Sequence, residues 1–209
     1  MRLPKGIRDN LRFLLVETGS QVGHLQSFFE TCSPSVARRV LDRSGYAYNL
    51  KSRIHSSCLS ELAARGAGQA DRLGLRGVEL IATDLERIAE LCRDCVHQVE
   101  QVHRKRCLRP AAYAPMLQRV IKAVERVEPA IRNSDTQLAL KIGRVSPRLQ
   151  RACKQLLKQY TDDLKRKKHT EDLIAALLVA HCIEQMGDTL LNISETIISA
   201  NLGQSVDMD

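Results

Sequence analysis

The chain repeats itself, and that constrains its fold more than any other feature. The segment VARRVLDRSGYAYNL from Val36 resembles LALKIGRVSPRLQRA from Leu138, 102 residues further on. LERIAELCRDCVHQ from Leu85 resembles IEQMGDTLLNISET from Ile183, 98 residues further on. Two matches in the same order at nearly one offset mark a duplicated unit. The periodicity inside each unit is helical. Ile183, Met186, Leu190, Ile193 and Ile197 follow a 3-4-3-4 spacing, and Leu85, Ile88, Cys92, Cys95 and Val99 form the matching seam. Apolar residues at that spacing line one side of a helix packed in a bundle.

Punctuation divides the chain into six helical segments. The first runs from about Ile7 to Glu30 and stops at TCSPS; the second reaches about Ala64, before RGAGQAD. The third covers about Asp71 to His103 and meets the basic stretch RKRCLRPAA; the fourth covers about Tyr113 to Arg132. Caps in the NSD at Asn133–Asp135 open the fifth, which runs to about Lys165. Thr170, with Glu171 and Asp172 in the first turn, opens the sixth, which ends near Asn201. Gly45 and Pro147 stand at equivalent places and predict paired helix starts or kinks. With only 3% aromatic residues, six Pro and eleven Gly, the chain is too poor in turns and ring residues for a β sandwich. The expected fold is all-α: two tandem three-helix bundles, residues 1–106 and 107–209, together forming one unit.

Thirty-two basic against 24 acidic residues give a net charge of +8, which favours anionic partners. Part of the excess is knotted into RKRCLR, Arg104–Arg109, and KRKKH, Lys165–His169. In an up-down chain the third and fifth helices run the same way, so both knots reach one pole and form a candidate anionic-surface dock. Basic residues at helix C-termini also offset the helix dipole, by about 0.3–1 kcal/mol each, which accounts for part of the pattern. Sequence-specific nucleic-acid reading is not expected, because no groove-reading motif or interleaved stacking aromatics accompany the charge. Seven cysteines without framework spacing suit reduced thiols in a cytoplasmic compartment. The N-terminal stretch lacks a signal-peptide pattern. The longest uninterrupted apolar run, Leu173–Ala180, falls short of the ~20 residues that span a bilayer.

No catalytic motif stands out. The C-x-x-C at Cys92–Cys95 places both sulfurs in the seam, where Leu190 and Ile193 stand in the other copy, so these read as core cysteines. The E-x-x-H at Glu100–His103 is half of a di-iron bundle site, which needs a second copy and two further inward glutamates. The carboxylate stripes are more informative. Glu184, Asp188, Asn192 and Glu195 share the helix face opposite the seam, and Glu86, Glu90, Asp94 and His97 form the twin, both outside the core. Like charges at i,i+4 repel by roughly 0.2–0.5 kcal/mol. Oxygen ligands at that spacing suit a hard or borderline cation, such as Mg²⁺, Mn²⁺ or an iron ion, that would offset the repulsion.

The repeated third helix resembles the motif ERIGDHAxNIAE of the PhoU family, regulators attached to bacterial phosphate uptake. LERIAELCRDCV and IEQMGDTLLNISE both match it, the second more closely through Gly187, Asp188, Asn192, Ile193 and Glu195. IRDNLRFLLVETGSQVGHLQSFFE is similar to the family's first helix, and SPSVARRVLDRSGYAYNL and SDTQLALKIGRVSPRL fit the starts of its second and fifth. The resemblance implies a cytoplasmic, non-enzymatic adapter that relays phosphate status by protein contact. Its implied partners are a phosphate ABC transporter ATPase and a sensor histidine kinase; a homo-oligomer is a further expected contact. It also implies metal on the bundle surface, carried over by position to Glu86, Glu90 and Asp94 in the first repeat and Glu184 and Asp188 in the second, with Asn192 orienting or capping. The chain departs from the family where acidic residues are usual on the second and fifth helices: it has Ser44, Tyr48, Ser146 and Gln150. The other expectation is a basic helical scaffold that docks to anionic lipid, nucleic acid or another transporter.

Overall fold

The computed structural model describes residues 3–63, 68–100, 102, 110–165, 170–203 and 208. The expected boundary at 106/107 therefore lies outside the described residues, as do Arg104–Arg109, 166–169 and His103. Among the described residues eight helices follow in order: α1 (Lys5–Thr31), α2 (Pro34–Leu41), α3 (Ser44–Ala63), α4 (Gln69–Glu100), α5 (Pro110–Arg132), α6 (Thr136–Gly143), α7 (Ser146–Lys165) and α8 (Thr170–Leu202). No strand occurs among the described residues. The fold is the expected all-α bundle.

Six expected segments become eight helices because the second and fifth are each interrupted, immediately before Gly45 and Pro147. Pro147 has no N–H to give the carbonyl of Gly143, so α6 ends there and Pro147 falls in the first turn of α7, where proline is tolerated. Gly45 imposes no such break. Tyr46 N–H instead closes a short turn onto the Arg43 carbonyl at 3.0 Å, and the Arg43 side chain anchors that turn to α1. The other boundaries follow local chemistry. Cys32 ends α1 in the left-handed region and returns its N–H to the Phe28 carbonyl at 2.7 Å. Asp135 caps α6 by accepting from Leu138 N–H at 2.9 Å. Asp135→Ala is expected to cost about 1 kcal/mol, read as a lower urea midpoint at unchanged m-value.

Individual contacts fix the directions of the helices. Gly77 lies against Ala200 and Arg87 reaches Gln185, so α4 and α8 are antiparallel neighbours. Gln118 donates to Gln26, joining α5 to α1. α3 runs back along α4, and α7 back along α8. The core therefore runs through both repeats. Both expected seams are buried along their whole length: Leu85, Ile88, Cys92, Cys95 and Val99 on α4, and Ile183, Met186, Leu190, Ile193 and Ile197 on α8. Phe29 of α1 stacks on Tyr113 of α5 with ring centroids 5.0 Å apart. The Tyr113 hydroxyl donates to the Ala176 carbonyl at 3.2 Å, so Tyr160 must donate to Tyr113 across 2.8 Å, which satisfies this buried pair.

By length and composition α8 could cross a membrane, since an 18-residue window has a mean hydropathy of 1.3. The longest unbroken apolar run understated this, because isolated polar residues such as His181 and Glu184 interrupt an otherwise apolar helix. The helix packs on α4, α5, α6 and α7, and 61% of that window is buried among them. It is the central core helix of the bundle.

Candidate carboxylate stripes

The stripes lie where α3 crosses α4 and where α7 crosses α8. Helical phase puts them on one side of each long helix, and the shorter helix of each repeat decides what they meet. In the first repeat the expectation that the stripe lies outside the core fails at its first member. Glu86 is only 7% exposed. α3 lies over it and brings the Lys51 ammonium to within 3.2 Å of Oε2. That ammonium also sits 4.6 Å from the centroid of the Tyr48 ring, a cation–π contact that holds it in place.

Glu90, one turn on, lies between two guanidiniums of its own helix, with Arg87 Nη1 at 3.2 Å and Arg93 Nη2 at 3.6 Å. Arg87 also donates to Gln185 Oε1 on α8 at 3.4 Å, tying the stripe to the second repeat. Asp94 is exposed. His97 pairs with Glu100 at 3.6 Å, so this half of the E-x-x-H faces solvent on a helix surface.

In the second stripe Asp188 meets neutral donors. Asp188 Oδ1 accepts from Ser146 Oγ at 3.0 Å and from Gln150 Nε2 at 3.2 Å. These are two of the four positions where the chain departs from the family pattern. Glu184 is half-buried, with His181 Nδ1 3.9 Å away. Asn192 is exposed, and Glu195 Oε1 accepts from Met208 N–H at 3.0 Å. Cys153 stands where Lys51 stands in the first repeat, 102 residues apart. Its thiol is pushed up to about 12, first by burial and then by the charges of Glu184 and Asp188, so the position is neutral here. Gly187 explains how α7 reaches the stripe. A Cβ there would lie 3.2 Å from both Ser146 Cα and Leu149 Cδ1, so the missing side chain lets the first turn of α7 sit directly on α8.

Sequence spacing thus located the carboxylates but missed their partners. Arg87 and Arg93 were legible as i,i+3 neighbours of Glu90. Lys51 was not, because its partner lies 35 residues away. Among the described residues, no group of three or more His, Cys, Asp or Glu side chains lies close enough to hold a metal ion. The side chains facing the stripes (ammonium, guanidinium, amide and hydroxyl) all give protons or positive charge to the carboxylates. A divalent cation needs several oxygens converging on it, and Glu86, Glu90 and Asp188 Oδ1 are already turned to these donors, so this donor set fits one poorly. The cysteines of C-x-x-C are fully buried, and desolvation drives both thiols well above their ordinary value. Cys95 hydrogen-bonds to Cys182 on α8, which lowers the Cys182 thiol. Both are core cysteines at the interface of the two long helices.

Comparison with known proteins gives three findings. Residues 114–197 match the model of the PhoU domain. No curated protein sequence matches. Among solved structures, PhoU from Pseudomonas aeruginosa superposes with a TM-score of 0.85 at 18% identity, over 95% of this chain and 96% of that one. The phosphate transport system regulatory protein PhoU from Streptococcus pneumoniae superposes with a TM-score of 0.86 at 15% identity, over 97% and 96%. At these identities the likeness establishes the fold.

Proposed function

We propose that this chain, which carries a PhoU domain over residues 114–197 and the PhoU fold over nearly its whole length, is a non-enzymatic regulator of phosphate homeostasis that acts by protein contact. The family match at 114–197 carries this reading, since that segment includes the second stripe and the α7–α8 contact beneath it. The Streptococcus pneumoniae protein of the same fold is a regulatory protein of a phosphate transport system, which supports a phosphate-linked role. The expected partners are a phosphate ABC transporter ATPase or a sensor histidine kinase in the cytoplasm, with self-association as a further contact. Nothing about the stripes suggests turnover. Glu86, Glu90 and Asp188 are met by donors, and the buried Cys92, Cys95 and Cys153 thiols are held protonated.

The charge of +8 favours a second reading, a basic scaffold on an anionic surface. Lys165, the described residue of the two basic knots, pairs with Asp162 at 3.0 Å. Pull-down of the full chain with a phosphate transporter ATPase and a histidine kinase, at high and low phosphate, separates the readings. The regulator is expected to retain a partner through moderate salt, with recovery that changes with phosphate. Binding that is lost by moderate salt and indifferent to phosphate would instead identify the scaffold, because screened surface charge is its only hold.

A further inference from the structure

We infer that this chain holds the carboxylates at the centre of each stripe with side chains of its own in place of a surface cation, Lys51 on Glu86 and Ser146 with Gln150 on Asp188. This holds whether or not the chain regulates phosphate uptake. Charge is the first reason. In the first repeat three carboxylates, Glu86, Glu90 and Asp94, stand on a helix that also presents Arg87 and Arg93, and α3 adds Lys51. Three positive groups against three negative ones leave no local excess for a divalent ion to neutralise.

Position is the second reason. The Lys51 ammonium lies 3.2 Å from Oε2 of a carboxylate with little access to solvent, and the Tyr48 ring covers it. A cation approaching Glu86 would have to displace that ammonium or tolerate a like charge beside it. Displacement would also break the cation–π contact.

The second repeat reaches the same end differently. Cys153, at the position equivalent to Lys51, is neutral and buried, and gives its hydrogen bond to the Ala180 carbonyl at 3.3 Å. The donors to Asp188 come instead from Ser146 and Gln150, both on one oxygen. A metal on Asp188 Oδ1 would face an amide N–H₂ and a hydroxyl proton already directed at that oxygen. A metal on Oδ2 would find one further carboxylate, Glu184, to share it. The two repeats thus meet their carboxylates by different means, a cation in one and neutral donors in the other.

Elemental analysis and native mass spectrometry of the full chain, after exposure to Mg²⁺, Mn²⁺ and Fe²⁺ and removal of free ion, test this directly. Substoichiometric metal is expected, with a thermal midpoint unchanged by Mn²⁺ or by chelator. Metal retained equally by wild type and by the Glu86→Gln, Asp188→Asn double variant lies elsewhere and also supports the inference. Stoichiometric metal that the double variant loses would overturn it.

A gain-of-binding arm isolates Lys51. In Lys51→Glu the ammonium becomes a second carboxylate facing Glu86, so Mn²⁺ is expected to raise the midpoint of the variant alone. The rise should be about 5 °C or more with Mn²⁺ about a hundredfold above its Kd. An equal rise in wild type, or none in the variant, overturns Lys51 as the excluding group. If Lys51→Glu does not fold, Lys51→Gln removes the charge at similar size and is read in the same way.

Discussion

Arg43→Met is expected to lower the stability of the protein by about 3 kcal/mol. The Glu17 carboxylate is 3% exposed on α1. Arg43 meets it with two bonds, Nε to Oε1 at 2.9 Å and Nη2 to Oε2 at 2.5 Å, and Gln21 adds a third at 2.9 Å. Methionine fills similar volume but leaves a buried charge with one amide donor. Breaking a buried pair costs about 3–5 kcal/mol, and the lower end applies because Arg43 is itself half-exposed. For a chain of this length the loss corresponds to a thermal midpoint lower by roughly 6–12 °C.

The double variant Glu17→Met, Arg43→Met removes charge and partner together and is expected to recover most of that loss. A double variant as unstable as Arg43→Met alone would show that the pair contributes only through packing. The consequence extends to the stripe. Arg43 anchors the break between α2 and α3, which sets the course of α3 and hence the reach of Lys51 to Glu86. Arg43→Met should therefore also loosen protection of the α3 amides from exchange before global unfolding.

Asp84→Asn is expected to stabilise the protein, and to do so only above about pH 4. Burial on α4 raises the Asp84 carboxyl from 3.8 to about 7, and no hydrogen bond or ion pair to it occurs among the described residues. Below about pH 4 the carboxyl is protonated in both folded and unfolded chains and the group is neutral to stability. Between there and about pH 7 the unfolded chain gives up a proton that the folded chain keeps, so the folded state loses ground steadily. Above about pH 7 the cost is constant.

Asparagine cannot ionise, so its advantage should grow across that window and then level at roughly 2–4 kcal/mol, less whatever its own buried amide loses. Urea titrations of both proteins at several pH values, in buffer containing chelator, measure the difference. A gap that stays flat with pH would assign the effect to packing.

Much of this was legible in the chain itself. The seams of α4 and α8 follow from spacing alone, because a 3.6-residue period leaves few ways to bury Ile183, Met186, Leu190, Ile193 and Ile197 together. The Asp135 cap and the stop at Cys32–Pro34 are local as well, set by a side chain and a backbone a few residues apart. Pro147 declared its break in advance, since a missing N–H acts wherever the helix runs. Ser44, Tyr48, Ser146 and Gln150, where the resemblance leads one to expect acidic residues, were visible too, as fewer oxygen ligands for a cation.

What those substitutions do was decided only by tertiary structure. Ser146 and Gln150 became hydrogen-bond donors because Gly187 lets α7 lie against α8, 38 to 42 residues along the chain from their partner. Lys51 came to rest on Glu86 because Arg43 turns α3 at a break with no proline to announce it. Helical phase knows only which face a residue occupies, so it placed Glu86 outside the core, and α3 then covered it. Sequence determines the period of each helix through bonds four residues long. What meets each face depends on how separate helices cross, and that emerges only when the whole chain packs.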